Sequence, residues 1–193
     1  MKDYSQHGEQ SIILDYFKDY GPGGDLDIGA NDGVTFSNTH GLYWMGWIGV
    51  CVDASPMAFE KLSRKYHGTS VDCIHAAITD RDGTITLHDC SDSLVSSLSA
   101  GAEQIWKHHN FDWKPVEVPC MTMETLYERV GTRNFGFINI DAEGHDLEIL
   151  RQVDLGPVKM LCVEYGKHYK EVVEHCKGFR VLLNNGVNVI LAR

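Results

Sequence analysis

Short β-rich runs alternating with helical patterns predict an α/β fold: a mostly parallel sheet with helices packed on both faces. A second observation refines that. Asn184-Asn185-Gly186 sits between two β runs near the end of the chain, a strong hairpin signal. A tight hairpin cannot join parallel strands, so the last strand must run antiparallel. Third, the 193 residues contain no internal repeat, low-complexity tract or Pro/Ser-rich linker. They are read as a single domain, residues 1–193.

The elements follow in order. Ile12, Ile13, Tyr16, Phe17 and Tyr20 recur at helical spacing, which makes residues 1–20 an N-terminal segment carrying an amphipathic helix. Gly21-Pro22-Gly23-Gly24 ends it. Residues 25–28 are a strand, followed by a glycine turn and a helix over about 34–43. Residues 47–52 form the next strand. Ser55-Pro56 then supplies a capping residue and a proline at the first helical position, opening a helix to about 66. Residues 71–75 read as a third strand, and 84–88 alternate in the β manner after Asp82-Gly83. Residues 89–113 are rich in Ser, His and Trp with no clean period, and are read as a surface insertion or lid. Residues 116–119 lead into a short helix capped at Thr122. Residues 137–140 form a strand that meets the acidic turn Asp141-Ala142-Glu143-Gly144, and a helix follows. Residues 158–163 are a strand and 169–176 a helix. Residues 179–183 and 187–191 are the arms of the terminal hairpin.

Lys and Arg total 17 against 27 Asp and Glu, a formal charge of −10. Such a chain has no global field to hold a phosphate polymer or an anionic lipid surface, which argues against nucleic acid and membrane partners. Met1 to Gln10 is polar with no apolar stretch behind it, so no secretory signal is read. No apolar run approaches the ~20 residues that span a bilayer. The cysteines at 51, 73, 90, 120, 162 and 176 include no C-x-x-C pair. That spacing argues against a zinc or redox motif and favours buried reduced thiols in a cytoplasmic protein.

Ligands of open α/β sheets bind outside the carboxyl ends of the strands. Asp27, Asp53, Asp141, Glu143 and Glu164 all fall at such ends. Each alone reads equally well as a turn or capping residue; together they define a rim. The turn Gly29-Ala30-Asn31-Asp32-Gly33 first suggests a dinucleotide site, but G-x-G-x-x-G counted from Gly29 meets Asn31 and Val34 where glycines are needed. The remaining pattern, a carboxylate in the strand before the bend, suits a ligand with an ammonium group and no phosphate: the methionine part of S-adenosylmethionine. Asp53, 24 residues after Gly29, can accept from both hydroxyls of a ribose.

Asp27-Ile-Gly-Ala-Asn31-Asp-Gly33, Gly46-Trp47-Ile-Gly49 ahead of Asp53-Ala-Ser-Pro56, and Ile140-Asp141-Ala-Glu143-Gly144 together resemble an FkbM-type methyltransferase. Tyr4-Ser5-Gln6-His-Gly8-Glu9 is similar to the start common in that family. The likeness covers nearly the whole chain outside residues 89–113. It implies a class I methyltransferase (Rossmann-like) fold of seven strands with the last antiparallel, S-adenosyl-L-methionine as donor with S-adenosyl-L-homocysteine as product, and O-methylation of a hydroxyl. By position, Asp27, Gly29, Ala30, Asn31 and Gly33 would hold the methionine end, Asp53 with Ala54 and Ser55 the ribose, and Ala76 and Ala77 the adenine edge. The sequence departs from the family at Asp53-Ala-Ser-Pro, where Glu-Pro is frequent, and at His145-Asp146, where a small residue and Glu are frequent.

Removing the proton of a hydroxyl acceptor requires a base within hydrogen-bond reach. His145 is the first candidate because its ordinary pKa lies near neutrality; the competing reading is a polar residue in a helical first turn. Glu143 and Asp141 would orient it, bind the acceptor or serve as base themselves. Asp141, Glu143 and Asp146 are also hard oxygen ligands for Mg²⁺, a minor option; no metal is expected. His108 and His109, near Trp106 and Trp113, either line an acceptor cleft or are exposed loop residues. Gln6 and Glu9 either fold over the donor or cap the first helix. The expected acceptor is a small molecule or glycan. Two alternatives stand beside this reading: a catalytically silent S-adenosylmethionine-binding module, and an NAD or nucleotide-sugar oxidoreductase, which Asn31 and Val34 disfavour.

Overall fold

The computed structural model describes residues 2–99, 104 and 107–193. Seven strands form the main sheet: β1 (Gly24–Ile28), β2 (Ile48–Asp53), β3 (Asp72–His75), β7 (Phe137–Ile140), β8 (Met160–Glu164), β9 (Arg180–Asn184) and β10 (Asn188–Ala192). Their spatial order is β3-β2-β1-β7-β8-β10-β9. β1, β2, β3, β7 and β8 pair in parallel, whereas β10 runs antiparallel to both β8 and β9. The predicted fold class and the antiparallel last strand are both present, with strand ends within a residue or two of expectation.

The alternation along each strand sorts the core into two layers. Leu26, Ile28, Val50, Val52, Ile138, Ile140, Leu161 and Val163 face one way, onto α4 (Met123–Val130), α5 (Asp146–Leu150) and α6 (Tyr169–His175). Phe137, Met160, Cys162 and Ile190 face the other way, onto α1 (Glu9–Phe17) and α2 (His40–Trp44). Cys51 packs on that side against Leu62, in the C-terminal part of α3 (Pro56–Lys65), and Tyr66 just past its end. With both faces covered, the central strands are buried at nearly every position, including the polar Asp25, Asp27 and Asn139. Among the described residues no helix is long and apolar enough to cross a membrane.

Three expectations change. The helix expected over 34–43 forms only at His40–Trp44. Asp32 accepts from the N–H groups of Val34 and Thr35 as a helix cap would, but Phe36 has φ +55, which breaks the helical path before it can propagate. Residues 37–39 instead anchor to the strand ends, as described below. Second, the run at 84–88 does not join the main sheet, and residues 116–119, expected only to lead into a helix, are strand beside that run. They belong to β5 (Gly83–Cys90) and β6 (Trp113–Met121), which with β4 (Ala77–Ile78) make a separate three-stranded sheet. Third, residues 89–113 are therefore not wholly an insertion: β5 and β6 pair from Gly83↔Cys120 out to Cys90↔Trp113. All six cysteines are unpaired, and five are buried; Cys73 is only partly so.

Candidate active site

At the carboxyl end of β1 the chain turns through Gly29, whose φ is +80. A Cβ there would lie 1.7 Å from the carbonyl oxygen of Asp141, so only glycine lets the bends after β1 and β7 approach this closely. The N–H groups of Gly29 and Ala30 both donate to the Val52 carbonyl. This brings the bend beside Asp53, the last residue of β2. Asp53 accepts from the Asn31 N–H on Oδ2 (2.7 Å) and from the Ser55 N–H on Oδ1 (2.8 Å). Each carboxylate oxygen keeps a second lone pair for a ligand donor.

A cleft of about 690 Å³, open solvent at its mouth included, lies along these strand ends. Its polar lining includes Asn31, Asp53, Ser55, Asp141, Glu143 and His145. Ala76, Ala77, Ile78 and Leu87 line its apolar side, and Leu94, Ser96 and Leu98 wall it from residues 91–99. Gly29 and Ala54 also line it. Among the described lining residues there is no Lys or Arg.

The acidic turn after β7 makes the other end. Asp146 accepts from the N–H groups of Ala142 (2.7 Å) and Gly144 (3.1 Å), which folds the turn back on the start of α5. Glu143 is held at φ +47, an uncommon conformation for a non-glycine residue. Its carboxyl is pushed up to about 8, first by burial and then by the charges of Asp141 and Asp146. Glu164, at the end of β8, is likewise raised to about 8 by burial, Asp146 and Glu143. Burial raises Asp141 well above the carboxylate range, and the carboxylates of Glu164, Asp146, Asp27 and Asp53 push it further the same way. Asp53 rises to about 6, burial outweighing its two N–H donors. His145 reaches the cleft from the residue just before α5, and its Nδ1 is buried with no hydrogen-bond partner.

The structure thus gathers Gly29, Asn31, Asp53, Ala54, Ser55, Ala76, Ala77, Asp141, Glu143 and His145 around one cleft. It places the other candidates elsewhere. Asp27 is 2% exposed, and its carboxylate accepts from the Thr39 hydroxyl (2.6 Å) and the Asn139 amide (2.8 Å). It braces residues 37–39 from beneath. Ala30 packs with Leu62 and Tyr66, and a Cβ on Gly33 would lie 2.5 Å from the Tyr66 ring. Gln6 is exposed. Glu9 is buried and accepts from the His7 N–H and the side-chain amides of Asn185 and Asn188, tying the start of α1 to the terminal hairpin. The oxygens of Asp141, Asp146 and Glu164 come within 4.8 Å of one another; Glu164, not Glu143, completes that trio. His108 and His109 are exposed, His109 stacking on Phe111. Trp106 lies outside the described residues.

The wall from Leu94, Ser96 and Leu98 falls in the segment read as a lid, but sequence reasoning missed Asp89, which accepts from Ser55 and Ser96 inside the structure. A signal for Asp89 existed: it follows the alternating run 84–88 as the other rim acids follow theirs.

The family model for the methyltransferase FkbM domain matches residues 27–186. No curated protein matches the chain. Among solved structures, monomeric WbdD aligns over 99% of this chain with TM-score 0.55 at 10% identity, and the chain spans 41% of that protein's length. A precorrin-6y C5,15-methyltransferase from Geobacter metallireducens GS-15 aligns over 100% of this chain and 91% of its own, with TM-score 0.52 at 12% identity. At these identities the likeness is one of fold.

Proposed function

The chain belongs to the FkbM methyltransferase family, and from that premise we propose that it transfers a methyl group from S-adenosylmethionine to a hydroxyl of a small molecule or glycan. The observation that carries this reading is the carboxyl lining of the cleft. Asp53, Asp141 and Glu143 line it, with no described Lys or Arg among its lining residues. A pyrophosphate would face these carboxylates without a counter-charge. A ligand bearing a sulfonium and an ammonium supplies the positive charge that draws these raised carboxyls into their ionised form.

The residues fit that donor. Asp53 retains acceptor capacity for two ribose hydroxyls, and Ala76, Ala77, Ile78 and Leu87 offer an apolar slot for a purine. When bound, S-adenosylmethionine supplies an already activated methyl group, so the protein's contribution is chiefly orientation and proximity. At the reacting end, His145 takes the acceptor's proton; its unpartnered Nδ1 leaves a ring nitrogen uncommitted. Glu143 and Asp141 hold the acceptor hydroxyl and the charge that develops on the imidazole. The acidic cleft also disfavours nucleic acid as acceptor. The six unpaired thiols suit a reducing compartment, and the cytoplasm is the proposed location.

Titration calorimetry with S-adenosylmethionine, S-adenosylhomocysteine and NAD tests the donor; NAD binding without S-adenosylmethionine binding would overturn the reading. A screen of hydroxyl acceptors scored by S-adenosylhomocysteine release tests the reaction. Donor binding with no turnover on any acceptor would favour the silent binding module instead.

A further inference from the structure

The three-stranded sheet is bonded to both ends of the cleft. Strand alternation puts Asp89 of β5 on the same face as Leu87, which packs with Val118 and Cys120. That position calls for an apolar side chain. It holds a carboxylate that is only 3% exposed. Among the described residues it is ion-paired only with the solvent-facing ammonium of Lys114, 3.8 Å from Oδ2. Burying a carboxylate with so distant a counter-charge is costly unless hydrogen bonds offset it.

Those hydrogen bonds lead to the cleft. Oδ1 of Asp89 accepts from the Ser55 hydroxyl at 2.8 Å and from the Ser96 hydroxyl at 3.2 Å. Ser96 also accepts from the Cys90 N–H, 2.9 Å away. Ser55 is the residue whose N–H donates to Oδ1 of Asp53, and Asp53, Ser55 and Ser96 all line the cleft. One residue on, Ser97 exchanges two main-chain hydrogen bonds with His88 and donates its hydroxyl to the Glu143 carbonyl at 2.9 Å. The corner of the second sheet therefore grips the turn after β2 at one end and the acidic turn at the other.

We propose that Asp89 is a positioning residue for the donor: through Ser55 it fixes the carboxylate of Asp53 toward the ribose, and through Ser96 it fixes the wall beside it. This rests on the S-adenosylmethionine reading above. A carboxylate already aimed at its partner loses less freedom when the ligand arrives, which strengthens binding with no direct contact from Asp89 itself.

Calorimetric titration of the full chain with S-adenosylhomocysteine tests this. Asp89→Ala should raise Kd about tenfold or more, whereas Asp89→Asn, which keeps an acceptor oxygen for both serines, should stay within about threefold of the unaltered protein. In an Asp53→Ala background, Asp89→Ala should have a clearly smaller further effect, because the Ser55 arm of the coupling runs through Asp53 and only the Ser96 arm remains. An unchanged Kd for Asp89→Ala, with or without a lower melting temperature, would assign Asp89 a purely structural role and overturn the proposal. An equal loss in both backgrounds would overturn it too. Should Asp89→Ala not fold, Ser55→Ala and Ser96→Ala read the two arms separately, and normal affinity in both would refute the idea. If the unaltered protein binds neither S-adenosylhomocysteine nor S-adenosylmethionine, the donor reading itself fails and takes this proposal with it.

Discussion

Raising the pH should destabilise the ligand-free protein, and S-adenosylmethionine should reverse the effect. Glu143 moves from 4.5 to about 8 in the folded chain because burial and two neighbouring carboxylates penalise its charged form. Its folded pKa lies above its unfolded one. The stability it contributes is therefore complete below about 4.5 and is lost as pH rises through about 8. Each pKa unit is worth ~1.4 kcal/mol, so the ceiling on the loss is ~5 kcal/mol. Roughly half of that is realistic for a side chain that keeps part of its surface in water. For a chain of this size ~1 kcal/mol moves the melting temperature by about 2–4 °C, so Glu143 alone accounts for a fall on the order of 5–10 °C between pH 5 and pH 9. Glu164, also raised to about 8, acts with the same sign. Differential scanning calorimetry across that range should show the fall. Glu143→Gln, which mimics the protonated carboxyl, should flatten the curve. S-adenosylmethionine carries net positive charge and favours the ionised carboxylates, so its binding near neutral pH should release protons. Calorimetry in buffers of different ionisation enthalpy measures that release. A melting temperature that stays level or climbs from pH 5 to pH 9, unchanged by Glu143→Gln, would refute the reasoning.

Other outcomes follow from the geometry. Asp53→Ala should weaken S-adenosylhomocysteine binding by ~1–3 kcal/mol, since it removes a charged acceptor for the ribose; titration calorimetry reads this directly. His145→Ala should leave donor affinity nearly intact while slowing methyl transfer by ~10²–10⁴-fold on whichever acceptor the screen identifies, and unaltered turnover would remove His145 from the base role. Gly29→Ala forces a Cβ to 1.7 Å from the Asp141 carbonyl oxygen at a φ of +80. Because the Cβ is fixed by its own backbone and the Asp141 carbonyl is backbone, neither can rotate away; the bend must open, and a loss of ~3 kcal/mol or more is expected in chemical denaturation.

Several features were legible in the chain because they depend on local chemistry. The 2-residue alternation and the terminal turn signal imply strands and an antiparallel end, and Ser55-Pro56 marks a helix start that the structure confirms, with the Ser55 hydroxyl accepting from the Ala58 N–H. The glycines at 29 and 33 mark backbone with positive φ. Rim position follows from strand ends alone, which is why Asp53, Asp141 and Glu143 could be placed at one edge before any coordinates.

Tertiary structure decided what each rim residue faces. Asp27 and Asp53 read alike as carboxylates at strand ends, yet one is sealed beneath Thr39 and Asn139 while the other lines the cleft. That difference arises from residues 12 and 112 positions away from Asp27, beyond any local pattern. The same holds for residues 34–39, where helical spacing yielded to anchoring contacts with distant strand ends. Asp89 belongs with them: its meaning depends on the second sheet folding across the cleft, a pairing of β5 with β6 that spans the aperiodic stretch between. Local propensity writes the elements. Which polar groups meet in the interior is set by long-range packing, because a buried carboxylate takes its partners from whatever the fold brings beside it.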